Sequence, residues 1–368
     1  MTSVLPADMV LPGRVLTGIG CLDSFADIAT RFGDRGLIVY SRSVGRTDFL
    51  ASLSFGERTL AWRYPGGEPT LETVEDLLQV ARGHGAEWVA GIGGGSVLDC
   101  AKAVAGLVDA PGSVADYHGG RSIDARGIPF LAVPTTAGSG SEATMVSVLS
   151  DPDKGVKKSI RDPQFIARTV FLDANVLRGL TEKQAIFSGM DALVQAIEAF
   201  CSRKRTPWTD DFARRALLLI LGNLPAFCAD RSDADAAEAV LTGSFLAGMA
   251  LSGARLGVAH GLAHPVGMHT GLGHGLVCAI ALPHVLRFNR ESDPDRFAEL
   301  DALCGGSVDA KVATFIHTFG IPPNTGVPAP KDPAPLVAEV LASGSTAANP
   351  RKVTETDARA LLNLMYSS

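Results

Sequence analysis

Short apolar runs and helix-period patterns alternate through the first half of the chain. Gly36-Leu-Ile-Val-Tyr40, Thr59–Tyr64, Trp88–Ile92, Phe130–Val133 and Thr169–Leu172 are apolar and bounded by Gly, Pro or polar residues. Runs of that length and content predict strands. Between them Leu71, Val74, Leu77, Leu78 and Ala81 recur at helical spacing, as do Leu98, Ala101, Val104 and Ala105. Strands alternating with helices predict a mostly parallel sheet covered on both sides. The pattern changes near Asp173. From Thr181 onward, helical stretches dominate (Gln184–Phe200, Asp211–Leu221, Ala234–Leu251, Asp295–Cys304), with few strand candidates. The expected organisation is an α/β domain over residues 1–178 and an all-helical domain over 179–368, with a ligand cleft between them. Pro322–Pro335 holds six of the 21 prolines and is expected to be a surface loop between helices.

Composition narrows the function classes. Hydrophobic residues at 46% and charged residues at 20% of 368 describe a folded chain rather than a disordered one. The formal net charge is −6 with no basic block, which excludes the usual footprint of a nucleic-acid binder. Apolar runs such as Ala216–Leu221 fall far short of the roughly 20 residues of a membrane span. The N-terminus lacks the charged start and apolar centre of a signal peptide. Six cysteines are scattered without a CxxC pair and read as buried thiols of a reducing compartment rather than as disulfides. The expected location is the cytoplasm, with neither membrane nor nucleic acid as partner.

Four segments carry candidate chemistry. Gly91-Ile-Gly-Gly-Gly-Ser96 follows a strand and opens a helix that contains Asp99 and Lys102. Glycines there let a backbone approach a phosphate, and the helix N-terminus offers unpaired N–H groups; a tight strand-to-helix turn is the alternative. Val133-Pro-Thr-Thr-Ala-Gly-Ser-Gly-Ser-Glu142 is a hydroxyl-rich loop after another strand, where open α/β sheets bind ligands. His260, His264, His269, His274 and His284 are five of the eight histidines, and this density points to a metal or proton-transfer site. His260 and His264 share one helix face. Ser188–Gln195 places Asp191 and Gln195 four apart on another helix. An Asp from one helix and histidines from a second form a ligand set for a divalent ion, although Asp191 alone would also suit a first helical turn.

In this order, the blocks resemble the iron-containing (group III) alcohol dehydrogenase family. Leu11-Pro-Gly-Arg-Val-Leu-Thr-Gly, GIGGGSVLDCAKAVA, VPTTAGSGSEAT, SGMDALVQAIEAF, HGLAHPVGMHTGLGHG, LPHVLRFN and Asn349-Pro-Arg all match it. The resemblance implies an N-terminal Rossmann-like parallel-sheet domain and a C-terminal helical bundle, the architecture of the dehydroquinate synthase-like proteins. It also implies hydride transfer between nicotinamide C4 and a carbonyl carbon polarised by one divalent ion, Fe(II) or Zn(II). Small alcohols or aldehydes are the implied substrates and a homodimer the implied assembly. Carried over by position, Gly94, Gly95 and Ser96 bind the cofactor pyrophosphate with Asp99 beside them. Thr135, Thr136 and Ser139 line the cofactor, and Lys158 reaches its ribose or phosphates. Asp191, His260 and His274 match metal ligands, and His264 matches a histidine near the nicotinamide on the proton path.

The chain departs from that family in three places. Many members carry a second ligand histidine four residues after the Asp; here it is Gln195, a weaker ligand. Gln195 either coordinates, or the ion keeps three protein ligands and a water. NAD-dependent members often have an Asp after the second strand, where this chain has Ser41-Arg42, so NADP is favoured over NAD. Glu68 stands where an Asn is common. Rival readings are a maleylacetate reductase-like reduction of an acidic enone, the cyclising elimination of dehydroquinate synthase, and a non-catalytic NADP-binding relative that has lost its metal site.

Overall fold

The computed structural model describes residues 4–46, 50, 53 and 55–367. The chain divides into two compact units. One is Val10–Thr181 with Arg231–Leu241; the other is Met1–Met9, Glu182–Asp230 and Thr242–Ser368.

The first unit is α/β. Its elements are β1 (Val15–Thr17), α1 (Phe25–Ala29), β2 (Gly36–Tyr40), β3 (Thr59–Arg63), α2 (Leu71–His84), β4 (Trp88–Gly93), α3 (Gly95–Leu107), α4 (Val114–His118), β5 (Phe130–Pro134), β6 (Val146–Asp151), β7 (Val156–Arg161) and β8 (Thr169–Leu172). Six strands form one parallel sheet in the order β1-β8-β5-β4-β2-β3. The five runs singled out in the sequence are five of these strands. Every residue of β4 and β5 is buried, which explains their unbroken apolar character. Phe25 of α1 packs edge-on against Trp88 at 6.1 Å and tilted against Phe171 at 5.4 Å, so it bridges β4 and β8 from one face. Burial of each such ring is worth about 1.5–3 kcal/mol. Thr70 caps α2 by accepting the Thr73 N–H, and left-handed Gly85 ends it.

Three strands are absent from the sequence pattern. Edge strand β1 has three residues, all partly or fully exposed, too few to show a period. The antiparallel pair β6 and β7 reads polar because most of β7 faces solvent.

The second unit is helical. It contains α5 (Glu182–Cys201), α6 (Pro207–Ala229), α8 (Val258–Thr270), α9 (His274–Arg290), α10 (Pro294–Leu303), α11 (Val308–Thr318), α12 (Ala334–Ala342), α13 (Gly344–Ala348), α14 (Glu355–Met365) and the greater part of α7 (Ala234–Ala254). Residues Gly189–Cys201 of α5 are all buried, so α5 is the central helix of this unit. Thr206 opens α6 with a capping box to Thr209, and Pro207 takes the first helical turn. Buried Arg296 donates to the Phe200 carbonyl at the end of α5 and pairs with Asp210 of α6 at 2.6 Å. Both α6 and α7 are long and apolar enough to cross a membrane by length and composition. In the fold they bury Ala213, Leu217, Ile220, Leu224 and Phe227, and Val240, Leu241, Ala247 and Ala250, as core helices do. The proline-rich segment is a loop up to Pro333; Pro335 instead falls in the first turn of α12, where a missing N–H costs nothing.

Candidate active site

In the helical unit three helices converge on one point. Asp191 and Gln195 come from consecutive turns of α5, His260 and His264 from α8, and His274 and Cys278 from the first turns of α9. Asp191 Oδ1 lies 3.3 Å from His260 Nε2 and 3.7 Å from His274 Nε2. Cys278 Sγ lies 3.6 Å from His274 Nε2. One ligand atom from each of Asp191, His260, His274 and Cys278 falls within 4.8 Å of the others. Gly275 permits the approach of α9: a Cβ there would stand 2.2 Å from the Phe187 carbonyl oxygen of α5. Asp191, His260 and Cys278 are buried, whereas the His274 side chain is 28% exposed, which makes its side the accessible one. The His264 ring stands edge-on to His274 at 5.2 Å. Two of the five clustered histidines are not part of this group: His269 packs against Tyr366, and His284 faces Arg287 and the Pro323 backbone.

Two groups the sequence reading missed set up this cluster. Buried Glu198, two turns beyond Asp191 on α5, accepts the Nδ1–H of His260 at 2.6 Å and the Ala259 backbone N–H at 2.7 Å. Asn349 accepts the Val258 N–H at 3.2 Å and exchanges side-chain bonds with Asn289 of α9. The start of α8 is thus capped by side chains from elsewhere in the unit, and His260 presents Nε2 toward Asp191. Gln195 Nε2 donates to Asp191 Oδ2 at 3.4 Å. Cys278 is a third group missed; its signal was the four-residue spacing from His274.

Electrostatics agree with the geometry. Burial alone would raise Asp191, but His274 and His260 hold its carboxyl below the ordinary range. Burial would also raise the Cys278 thiol, yet His260 and then His274 bring it below its usual value. Asp191 Oδ1 and His260 Nε2 are fully buried and make no hydrogen bond. A buried carboxylate oxygen and imidazole nitrogen this close need a cation between them, either a shared proton or a metal ion. Carboxylate, imidazole and thiolate are the donor types that hold zinc or iron, so the residues present fit a divalent metal.

In the α/β unit the glycine and hydroxyl loops meet. A Cβ on Gly95 would lie 2.8 Å from Ser139 Cβ, and one on Gly94 would lie 3.2 Å from the Thr136 side chain. Thr135 donates its N–H to the Gly93 carbonyl at 2.9 Å. Gly94, Gly95 and Ser96 are half-buried at the open start of α3, with Thr136 and Ser139 beside them. Asp99 is buried and turned the other way: it accepts Ser141 Oγ at 2.5 Å and the Val148 N–H at 2.9 Å. Fully buried Lys102 donates to the carbonyls of Ser141, Thr144 and Val146. Burial lowers it to about 8 against the pull of Asp99 and Glu142, while burial raises Glu142 to about 7. Asp99 and Lys102 therefore clamp the far side of the hydroxyl loop.

Ser41 and Arg42 follow β2. Ser41 Oγ bonds Ser43 Oγ at 3.0 Å, and the exposed Arg42 guanidinium donates to the Pro65 carbonyl at 2.8 Å. Lys158 is exposed on β7 in register with Leu149, and no hydrogen bond among the described residues ties it to the two loops. Glu68 pairs with Lys157 at 2.6 Å, which accounts for its carboxylate. A cavity of ≈ 190 Å³ is lined by apolar Val44, Val176 and Leu180 and by Ser43, Thr135, Asn175 and Arg178. Apart from Thr135, none of these was singled out in the sequence.

Comparison with known proteins agrees with this arrangement. A family model described as iron-containing alcohol dehydrogenase matches residues 12–174, and one for the C-terminal part of the Fe-containing alcohol dehydrogenase family matches 185–366. Lactaldehyde reductase of Escherichia coli K12 is 30% identical over 371 residues, covering 95% of this chain and 97% of that protein. A solved 1,3-propanediol oxidoreductase superposes with a TM-score of 0.91 at 27% identity over 98% of this chain and 99% of the other. Sulfoacetaldehyde reductase from Bifidobacterium kashiwanohense, solved with NAD+, gives 0.89 at 26% identity over 98% and 99%. The chain belongs to the iron-containing alcohol dehydrogenase family and is an oxidoreductase of that family, acting on the CH–OH group of its donors.

Proposed function

We propose that this protein is a metal-dependent, NADP-linked alcohol dehydrogenase working on small polar alcohols and their aldehydes, with Asp191, His260 and His274 as metal ligands. The observation that carries the reading is the buried pair Asp191 Oδ1 and His260 Nε2, left without hydrogen bonds while Glu198 holds the other imidazole nitrogen. A divalent ion there supplies Lewis acidity toward a carbonyl oxygen, and a nicotinamide supplies or takes the hydride. The protein contributes orientation and proton management. Gly94, Gly95 and Ser96 offer the N-terminus of α3 to a pyrophosphate, and Thr135, Thr136 and Ser139 supply hydroxyls beside it. The cavity at Val44, Val176 and Leu180 suits the flat apolar faces of an adenine. His264, beside the accessible His274, would carry the alcohol proton to and from solvent.

The NADP preference rests on Arg42, an exposed cation at the end of β2 in a stretch, Ser41–Arg46, that holds no carboxylate. A homodimer is proposed from edge strand β1, whose Val15 is 38% exposed. Six free cysteines suit a cytoplasmic location. The test is elemental analysis of purified protein together with oxidation of NADPH and NADH by lactaldehyde, sulfoacetaldehyde and 3-hydroxypropanal. Active protein holding under a tenth of an equivalent of any transition metal would refute the metal-dependent reading.

A further inference from the structure

We propose that Cys278 is the fourth protein ligand of the metal, so that one carboxylate, two imidazoles and one thiolate hold the ion and the site selects zinc over iron. The inference deepens the metal-dependent reading above and rests on it.

The distances between the donor atoms carry the argument. With Zn–S near 2.3 Å and Zn–N or Zn–O near 2.0–2.1 Å, a tetrahedral site has S···N edges of about 3.6 Å and N···O edges of about 3.3–3.4 Å. Cys278 Sγ and His274 Nε2 are 3.6 Å apart, and His260 Nε2 and Asp191 Oδ1 are 3.3 Å apart. The Asp191 to His274 edge is slightly longer, at 3.7 Å. The edges from sulfur to Asp191 and His260 are no longer than 4.8 Å, so sulfur stands on the side of the cluster where a fourth ligand would bind. His274 and Cys278 lie on consecutive turns of α9 and project from one face, as paired ligands on a helix do. The other candidate, Gln195, directs its amide nitrogen at Asp191 Oδ2. It therefore steadies the carboxylate from α5, while the sulfur approaches from α9.

Ligand chemistry gives the consequence. Two histidines and one carboxylate without sulfur are the donor set that suits iron(II). A thiolate changes the set toward the softer zinc and cobalt ions and away from magnesium and manganese. His274, partly exposed, leaves a side from which a substrate oxygen can approach while the four protein ligands stay in place.

The test uses full-length protein stripped with a chelator and refilled with cobalt(II). Thiolate ligation gives an intense near-ultraviolet sulfur-to-cobalt band in addition to the visible d–d bands. The expected result is one equivalent of cobalt with both features. Cys278→Ser should keep the d–d bands and lose the near-ultraviolet band. It should also lower the preference for zinc over iron in a mixed-metal competition by at least about tenfold. The unmutated spectrum decides the matter even where Cys278→Ser does not fold. Visible bands without a near-ultraviolet band would overturn the thiolate ligand and leave the three-ligand metal site standing. A near-ultraviolet band that persists in Cys278→Ser would overturn it as well. Failure to bind cobalt, zinc or iron at all would overturn this inference and the metal-dependent function together.

Discussion

Glu198 receives two hydrogen bonds from the first turn of α8, one from His260 Nδ1–H and one from the Ala259 backbone N–H. One carboxylate thereby fixes both the ring tautomer of a candidate ligand and the start of the helix that carries it. Partners of this kind keep an imidazole nitrogen basic and aimed at the metal, and their loss costs about 10–100-fold in metal affinity. Glu198→Gln retains an acceptor for His260 but sets an amide group among two buried N–H donors. Zinc affinity, measured by competition with a chromophoric chelator, should fall by about 10–100-fold while far-ultraviolet circular dichroism is preserved. Unchanged affinity would show that His260 is aimed by packing alone.

Gln195 donates to the Asp191 oxygen that lies away from His260. Gln195→Ala should therefore keep the metal and lose activity on the scale of one hydrogen bond, about ten- to hundredfold. Metal content and turnover are measured on the same preparation. Release of the metal outright would make Gln195 a true ligand.

The parallel sheet was legible because its inner strands are buried on both faces and therefore read as unbroken apolar runs; Trp88–Ile92 and Phe130–Val133 are the clearest cases. The exposed β1 and the half-polar hairpin β6–β7 leave no such trace. Prolines mislead in the helical unit: Pro225, Pro265 and Pro283 lie inside helices, where tertiary packing overrides a local signal that would end them. Asp191, His260 and His274 were legible from residue type and resemblance. The capping roles of Glu198 and Asn349 were not, because a carboxylate or amide that caps a distant helix looks like any other in one dimension. Asp99 shows the converse. It stands beside the glycine loop in sequence, but its side chain is spent on Ser141 and Val148.

The proposed NADP preference rests on Arg42. Its guanidinium is exposed and anchored through the Pro65 carbonyl, which leaves further donors for a 2′-phosphate. Arg42→Ala should weaken NADPH binding by about 1–2 kcal/mol and leave NADH binding nearly unchanged. Fluorescence titration of both cofactors measures the difference. Tighter binding of NADH than NADPH by the unmutated protein would reverse the assignment.

The last prediction concerns Glu142, buried beside Lys102 behind the hydroxyl loop. Burial raises its carboxyl from the ordinary 4.5 to about 7, only partly opposed by Lys102. The folded state therefore holds this proton more tightly than the unfolded chain. Its contribution to stability is fully present below pH 4.5 and is lost as pH rises through 7, because over that window the folded state binds more protons. Lys102 acts in a separate window. Its folded value is lowered from 10.5 to about 8, so the cost of burying its charge is relieved only as pH rises above 8. Glu142→Gln keeps the shape and removes the ionisation. Relative to the unmutated protein, it should gain stability between about pH 5 and about pH 8, by up to roughly 3 kcal/mol. The proposed cofactor contacts of Thr135, Thr136 and Ser139 should meanwhile be unaffected. Urea unfolding of both proteins at the two pH values reads the difference directly. If both lose or gain the same stability between them, Glu142 is not the titrating group, and the pH sensitivity of this unit has another origin.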